Sequence, residues 1–190
     1  TMWNTSPCLK NRHLNIQIQI EVIKKLFTAS ELCDIPLWLG SGWAIDARLG
    51  EITREHGDID IAFPSEKREE YITLLVSIGF SNYEELDYGF LMSRDNILID
   101  SEPCLLVDGK YMPDGFPEDS CPFEKEGSIS EFKVRCMSWD AMYFEFLYYA
   151  NEVVQGKWQK KDAISLEIVK KHIRSDRQNE LKQLFDRNRI

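Results

Sequence analysis

The chain has 190 residues, 43% hydrophobic and 29% charged, enough for one domain or two small lobes sharing a cleft. Its 32 acidic and 23 basic residues give a formal net charge of −9, which excludes a general nucleic-acid binder with a basic footprint and suits a cationic ligand. No run approaches the roughly 20 apolar residues of a membrane span, and Thr1 to Arg12 lacks the apolar stretch of a secretory signal, so a cytoplasmic protein without membrane contact is expected.

In chain order, Ile16, Ile20, Ile23 and Phe27 recur at helical spacing and predict an amphipathic helix from about Asn15 to Ser30. Leu37-Trp38-Leu39 reads as a buried strand ended by Gly40-Ser41-Gly42, and Trp43 to Leu49 as a short helix closed by Gly50. Ile59 to Phe63 alternates like a strand and stops at Pro64. Ser65 is a plausible N-cap for a helix reaching Ile78, with Gly79 ending it. Glu85 to Met92 and Ile97 to Ser101, joined through Arg94-Asp95-Asn96, predict a hairpin. Lys110 to Gly127 is rich in Pro, Gly and acids and reads as an irregular connection, and Lys133 to Cys136 as one more strand. Helices are predicted over Trp139 to Glu152, Asp162 to Ile173 and Arg177 to Arg189. The expected class is α+β, with a mixed lobe over residues 1–135 and a helical lobe over residues 136–190. The five cysteines are odd in number and form no C-x-x-C pair, so free thiols are expected rather than disulfides or a zinc site.

The chemistry concentrates at His56-Gly57-Asp58-Ile59-Asp60-Ile61. Residues two apart on a strand share a face, so Asp58 and Asp60 project together while Ile59 and Ile61 enter the core. Paired carboxylates repel unless a cation neutralises them, and hard oxygen ligands suit magnesium. Such a pair also occurs on ordinary exposed strands. Asp100 ends the apolar run Ile97-Leu98-Ile99 and is a candidate third carboxylate and proton acceptor, unless it merely marks that strand's exit into solvent. The small residues Gly40, Ser41 and Gly42 let backbone N–H groups approach a phosphate at a helix start, although no Walker A lysine follows.

A glycine-serine turn, an Asp-x-Asp strand and a later third Asp resemble the polymerase-β-like nucleotidyltransferase superfamily. The longer string Leu37-Trp38-Leu39-Gly40-Ser41-Gly42-Trp43-Ala44-Ile45-Asp46-Ala47-Arg48-Leu49-Gly50, then Thr53-Arg54, His56 and Asp58-Ile59-Asp60, is similar to the aminoglycoside 2″-O-nucleotidyltransferases. So are Glu84 to Leu91, Asp100 with Glu102-Pro103, Ser120-Cys121-Pro122, Ser138-Trp139, and Tyr148-Tyr149-Ala150 with Glu152-Val153. The likeness runs from about residue 15 to the C-terminus, leaving the first dozen residues as a variable extension.

The resemblance implies transfer of AMP from ATP to the 2″-hydroxyl of an aminoglycoside, with two Mg²⁺ ions; a monomer is expected separately, since acidic chains of this size are commonly monomeric. It implies metal ligation by Asp58 and Asp60, with Asp100 as general base and third ligand. It places the nucleotide against Gly40, Ser41, Gly42, Arg54, His56 and Lys161, although Lys157 to Lys161 also reads as a solvated face. It places the acceptor against Tyr88, Asp100, Glu102, Glu145, Tyr148 and Tyr149. Carboxylates for ammonium groups and aromatic faces for sugar rings are what a polycationic sugar needs. Tyr148 and Tyr149 read equally as packing residues, Trp43 and Trp139 as core, and His172 as structural or surface. The chain departs from the family pattern at Ser41, where glycine is expected, and at Gly57, where aspartate is expected. Glu55 replaces a basic residue, and Glu145 replaces the usual Asp. Two alternatives stay open: a nucleotidyltransferase for another drug such as a lincosamide, and a non-catalytic binding module of the same fold.

Overall fold

A computed structural model of the protein describes residues 7–153 and 158–189. A long helix α1 (Pro7–Leu32) is followed by β1 (Trp38–Leu39), α2 (Ser41–Leu49) and β2 (Ile59–Pro64). A 3-10 turn over Ser65–Lys67 leads into α3 (Arg68–Ser77), then β3 (Ser81–Glu85), β4 (Phe90–Arg94), β5 (Ile97–Val107) and β6 (Lys110–Met112). The β-hairpin β7 (Gly127–Ile129) and β8 (Phe132–Val134) precedes α4 (Trp139–Tyr148), a π-helical turn over Tyr149–Val153, α5 (Lys160–Lys171) and α6 (Ser175–Arg187).

The main sheet runs β1-β2-β5-β4-β3, with β6 added to the far part of β5. β2 and β5 pair in parallel and the other neighbouring strands antiparallel, so the sheet is mixed. Alternation decides its two faces. Ile59, Ile61 and Phe63 of β2 and Ile99 of β5 are buried in the main core with Ile20, Ile23 and Leu26 of α1 and Leu75 of α3. Ala62 of β2 and Cys104 of β5 lie on the opposite face, in a smaller cluster with Trp38, Tyr111, Met137 and Ala141. Trp38 donates its indole N–H to the Pro122 carbonyl at 2.7 Å, a bond whose loss would leave a buried donor unmet at about 1–3 kcal/mol.

Several predicted boundaries move. The stretch predicted as one strand from Glu85 to Met92 is two, because a turn over residues 86–89 separates β3 from β4. Gly89 is required there, since a Cβ would lie 1.9 Å from the Ser101 carbonyl oxygen. Ser65 opens a 3-10 turn with no side-chain cap, so it is not the predicted N-cap. The connection after Lys110 is not wholly irregular, because its first residues pair with the exposed end of β5. Ser138 does cap α4, accepting from the Ala141 N–H at 3.1 Å. Trp43 is core, whereas Trp139 is half-buried, stacked on His172 at 4.1 Å. Cys33, Cys104, Cys121 and Cys136 are free thiols. Among the described residues no helix is long and apolar enough to cross a membrane.

Candidate active site

The parallel pairing of β2 and β5 builds the centre of the site. Its register sets Asp60 directly beside Asp100 and Ala62 beside Glu102, so the strand pleat brings Asp60, Asp100 and Glu102 to one face. Asp58 joins them from the residue before β2, and ligand oxygens of Asp58, Asp60 and Asp100 all lie within 4.8 Å of one another. Three hard oxygen donors at that spacing fit a divalent cation.

Electrostatics describe the same cluster as charge awaiting a partner. Burial, then Asp58, Glu145, Asp100 and Glu102, hold the Asp60 carboxyl well above the usual range. Burial and Asp58 push Asp100 up, while the Tyr88 hydroxyl, donating to its Oδ2 at 2.7 Å, opposes the shift. Burial first, then Glu145 and Asp100, push Glu102 up to about 8. Burial also raises Glu145, against hydrogen bonds from Tyr149 and Ser41.

The loop between α2 and β2 delivers the basic side of the cleft, and a buried acid organises it. Asp46 is fully buried and accepts from Thr53 Oγ1 at 2.5 Å, while its other oxygen lies 2.6 Å from His56 Nε2. Gln19 of α1 donates to the His56 carbonyl at 3.0 Å and accepts from the Trp43 indole at 2.8 Å. Gly42 earns its place here, because a Cβ would lie 2.4 Å from His56 Nδ1 and 2.7 Å from the Arg54 guanidinium. Gly40 packs near Asp60, where a Cβ would lie 3.3 Å from the Asp60 Cβ. The sequence reading gave Asp46 and Gln19 no role; the signal for Asp46 was an acid between the buried residues Ile45 and Ala47.

From the other side, α4 brings Glu145 over the sheet. Arg48 of α2 locks that approach by donating to the carbonyls of Met137 at 2.6 Å and Cys136 at 3.1 Å. The resulting cleft is lined by Ser41, Gly42, Arg54, His56, Asp58, Asp60, Asp100, Glu145, Tyr149 and Lys161, together with Asp162 and Ser165. Gly40, Tyr88 and Glu102 flank it without lining it. Tyr148 does not reach it: its ring packs edge-on to Phe185 of α6 at 6.3 Å. Of the two neighbouring tyrosines, Tyr149 lines the cleft, whereas Tyr148 is partly exposed beside α6.

The raised Glu102 has a checkable consequence. A carboxyl whose folded value exceeds its unfolded value contributes stability that is fully present below the unfolded value and lost as pH rises through the folded one. With Glu102 at about 8 against an ordinary 4.5, the ligand-free protein is expected to lose thermal stability between about pH 4.5 and 8. Glu102→Gln should flatten that slope. Melting temperatures at pH 5 and 8 check it, and an unaltered slope in the variant would remove Glu102 as its source.

A family model for aminoglycoside-2″-adenylyltransferases matches residues 22–168. A 2″-aminoglycoside nucleotidyltransferase of Escherichia coli is 42% identical over 151 residues, 80% of this chain and 85% of that protein. The crystal structure of ANT(2″)-Ia in complex with adenylyl-2″-tobramycin is similar with a TM-score of 0.86 and 38% identity, covering 91% of this chain and 99% of that one. A lincosamide resistance protein of Staphylococcus haemolyticus is 37% identical over 60 residues, 30% of this chain and 37% of that protein. With most of its length, its nucleotidyltransferase fold and its carboxylate strands matched in this way, the chain belongs to the aminoglycoside 2″-adenylyltransferase family.

Proposed function

We propose that the protein transfers AMP from ATP to the 2″-hydroxyl of 4,6-disubstituted aminoglycosides of the kanamycin, tobramycin and gentamicin type, releasing pyrophosphate and conferring resistance. The observation that carries this reading is the meeting of Asp58, Asp60 and Asp100 at a cleft with two further half-buried acids, Glu145 lining it and Glu102 flanking it. A nucleotide with its metal needs the first group, and a polycation needs the second. Membership of the family supports both.

In this reading Asp58, Asp60 and Asp100 would hold two Mg²⁺ ions, which would supply charge neutralisation of the triphosphate. Ser41 and Gly42 line the nucleotide's approach, with Gly40 flanking it. Arg54, His56 and Lys161, on the basic side of the cleft, face its phosphates. Glu102, Glu145 and Tyr149 take the acceptor's ammonium groups and ring. Asp100 accepts the proton of the 2″-hydroxyl, a task suited by its raised affinity for protons. The freed oxygen attacks the α-phosphorus in line, forming the new ester as the bond to pyrophosphate breaks. Tyr88 holds the Asp100 carboxylate in orientation through its 2.7 Å hydrogen bond. Residues 1–135 supply the nucleotidyltransferase lobe and residues 136–190 the helical lobe, working as a monomer.

Pyrophosphate release from ATP and Mg²⁺ with tobramycin, kanamycin or lincomycin added singly tests the proposal. Release that requires an aminoglycoside is the expected result. Release with lincomycin instead would transfer the reading to the lincosamide class, and none with any drug would mean a different acceptor or a catalytically silent fold, which calorimetry with ATP separates.

A further inference from the structure

Ser41 occupies the middle of the Gly40-Ser41-Gly42 turn with its backbone in the left-handed region, at φ 46°. That conformation favours glycine and is strained for other residues, and strain of this kind persists where the surroundings over-determine it. Here the determinant is visible. The Ser41 hydroxyl donates to Glu145 Oε1 at 3.1 Å, joining residues 104 apart in sequence. A hydroxyl has one proton to donate, so this bond uses the side chain's whole donor capacity. Glu145 is a long, flexible side chain projecting from α4, and Tyr149 lies beside its carboxylate. The bond from Ser41, on a second element, therefore fixes it over the cleft that Asp58 and Asp100 line.

We propose that Ser41 is a positioning residue for the acceptor: its hydroxyl holds the Glu145 carboxylate in the orientation that receives an ammonium group of the aminoglycoside. This rests on the functional reading above and assigns Ser41 a duty beyond lining the nucleotide's approach. It also couples the two substrates' subsites, because the same turn meets the nucleotide through its backbone and the acceptor carboxylate through its side chain.

The test is a thermodynamic cycle on the full chain, with tobramycin titrated calorimetrically and the KM values for tobramycin and ATP measured separately. Ser41→Gly removes both hydroxyl and strain, so it should fold at least as stably as the parent. Ser41→Ala removes the hydroxyl but keeps the strained backbone. Both are expected to weaken tobramycin about five- to tenfold, the scale of one lost hydrogen bond, and to raise the tobramycin KM more than the ATP KM. Ser41→Gly combined with Glu145→Gln should bind no more weakly than Glu145→Gln alone. Losses that multiply across the two positions, or a loss confined to the ATP KM, would overturn the inference. So would tobramycin affinity unchanged in both Ser41 variants, while leaving the functional reading intact. A parent protein that binds no aminoglycoside would overturn that reading and this inference together.

Discussion

Replacing Asp100 by asparagine is expected to lower kcat/KM by about 10³-fold or more, which corresponds to roughly 4 kcal/mol of transition-state stabilisation. Asparagine has nearly the shape of aspartate but cannot accept the hydroxyl proton, and it removes one of the three charges that face a cation. Tobramycin affinity should change far less, because the proposed ammonium sites, Glu102 and Glu145, are untouched by the substitution. The Tyr88 hydroxyl can still donate to the remaining side-chain oxygen, so the local geometry should survive. The ligand-free variant should melt no lower than the parent, since one like charge leaves a crowded, half-buried trio. Steady-state kinetics, calorimetry and thermal melting on one preparation check all three expectations. Normal turnover would remove Asp100 as the base, and a collapse of drug affinity would mean that its charge serves binding more than proton transfer.

Asp58→Asn addresses the metal more directly. Asp58 stands just before β2 and belongs to the carboxylate trio without belonging to the sheet. Its replacement should reduce Mg²⁺-dependent ATP affinity by at least the roughly 10–100-fold that losing a residue supporting a metal ligand costs. ATP binding measured by calorimetry with and without Mg²⁺ isolates the effect. The parent should show a large metal dependence and the variant a much smaller one at the same Mg²⁺ concentration. Equal dependence in both would place the cation elsewhere. Excess Mg²⁺ should partly restore ATP binding in the variant, because a weakened site still fills by mass action.

What the sequence made legible follows from range. The strand carrying Asp60 and the apolar run before Asp100 were readable because alternation is local, whereas β5 continues past the expected end at Ser101 to Val107 and Asp58 stands just outside β2. The β2–β5 register that sets Asp60 against Asp100 joins residues 40 apart and was not written in either segment. Gln19 and Asp46 were missed for the same reason: they are buried polar groups whose partners come from other elements. Ser41 and Glu145 each stood out as a departure from the family pattern, but nothing in the sequence said that they touch. Tyr148 and Tyr149 could not be told apart by helical spacing, because α4 gives way to a π-helical turn at Tyr149 and the phase changes there. The turn before β4 was hidden by residues that alternate acceptably on both sides of it, and only the close approach of Gly89 to Ser101 explains the break.

The parallel pairing of β2 with β5 also governs when, during folding, the protein can acquire its chemistry. Those strands are separated by α3, β3 and β4, so their meeting closes a long stretch of chain and belongs to the slower class of folding events. A slip of one residue would turn Asp60 or Asp100 into the apolar layer and Ile59 or Ile99 out of it. Because the same register that completes the core also assembles the carboxylates, a collapsed but misaligned chain would be inactive as well as unstable. Recovery of activity on refolding should therefore track completion of the β2–β5 ladder and lag behind the return of helical signal.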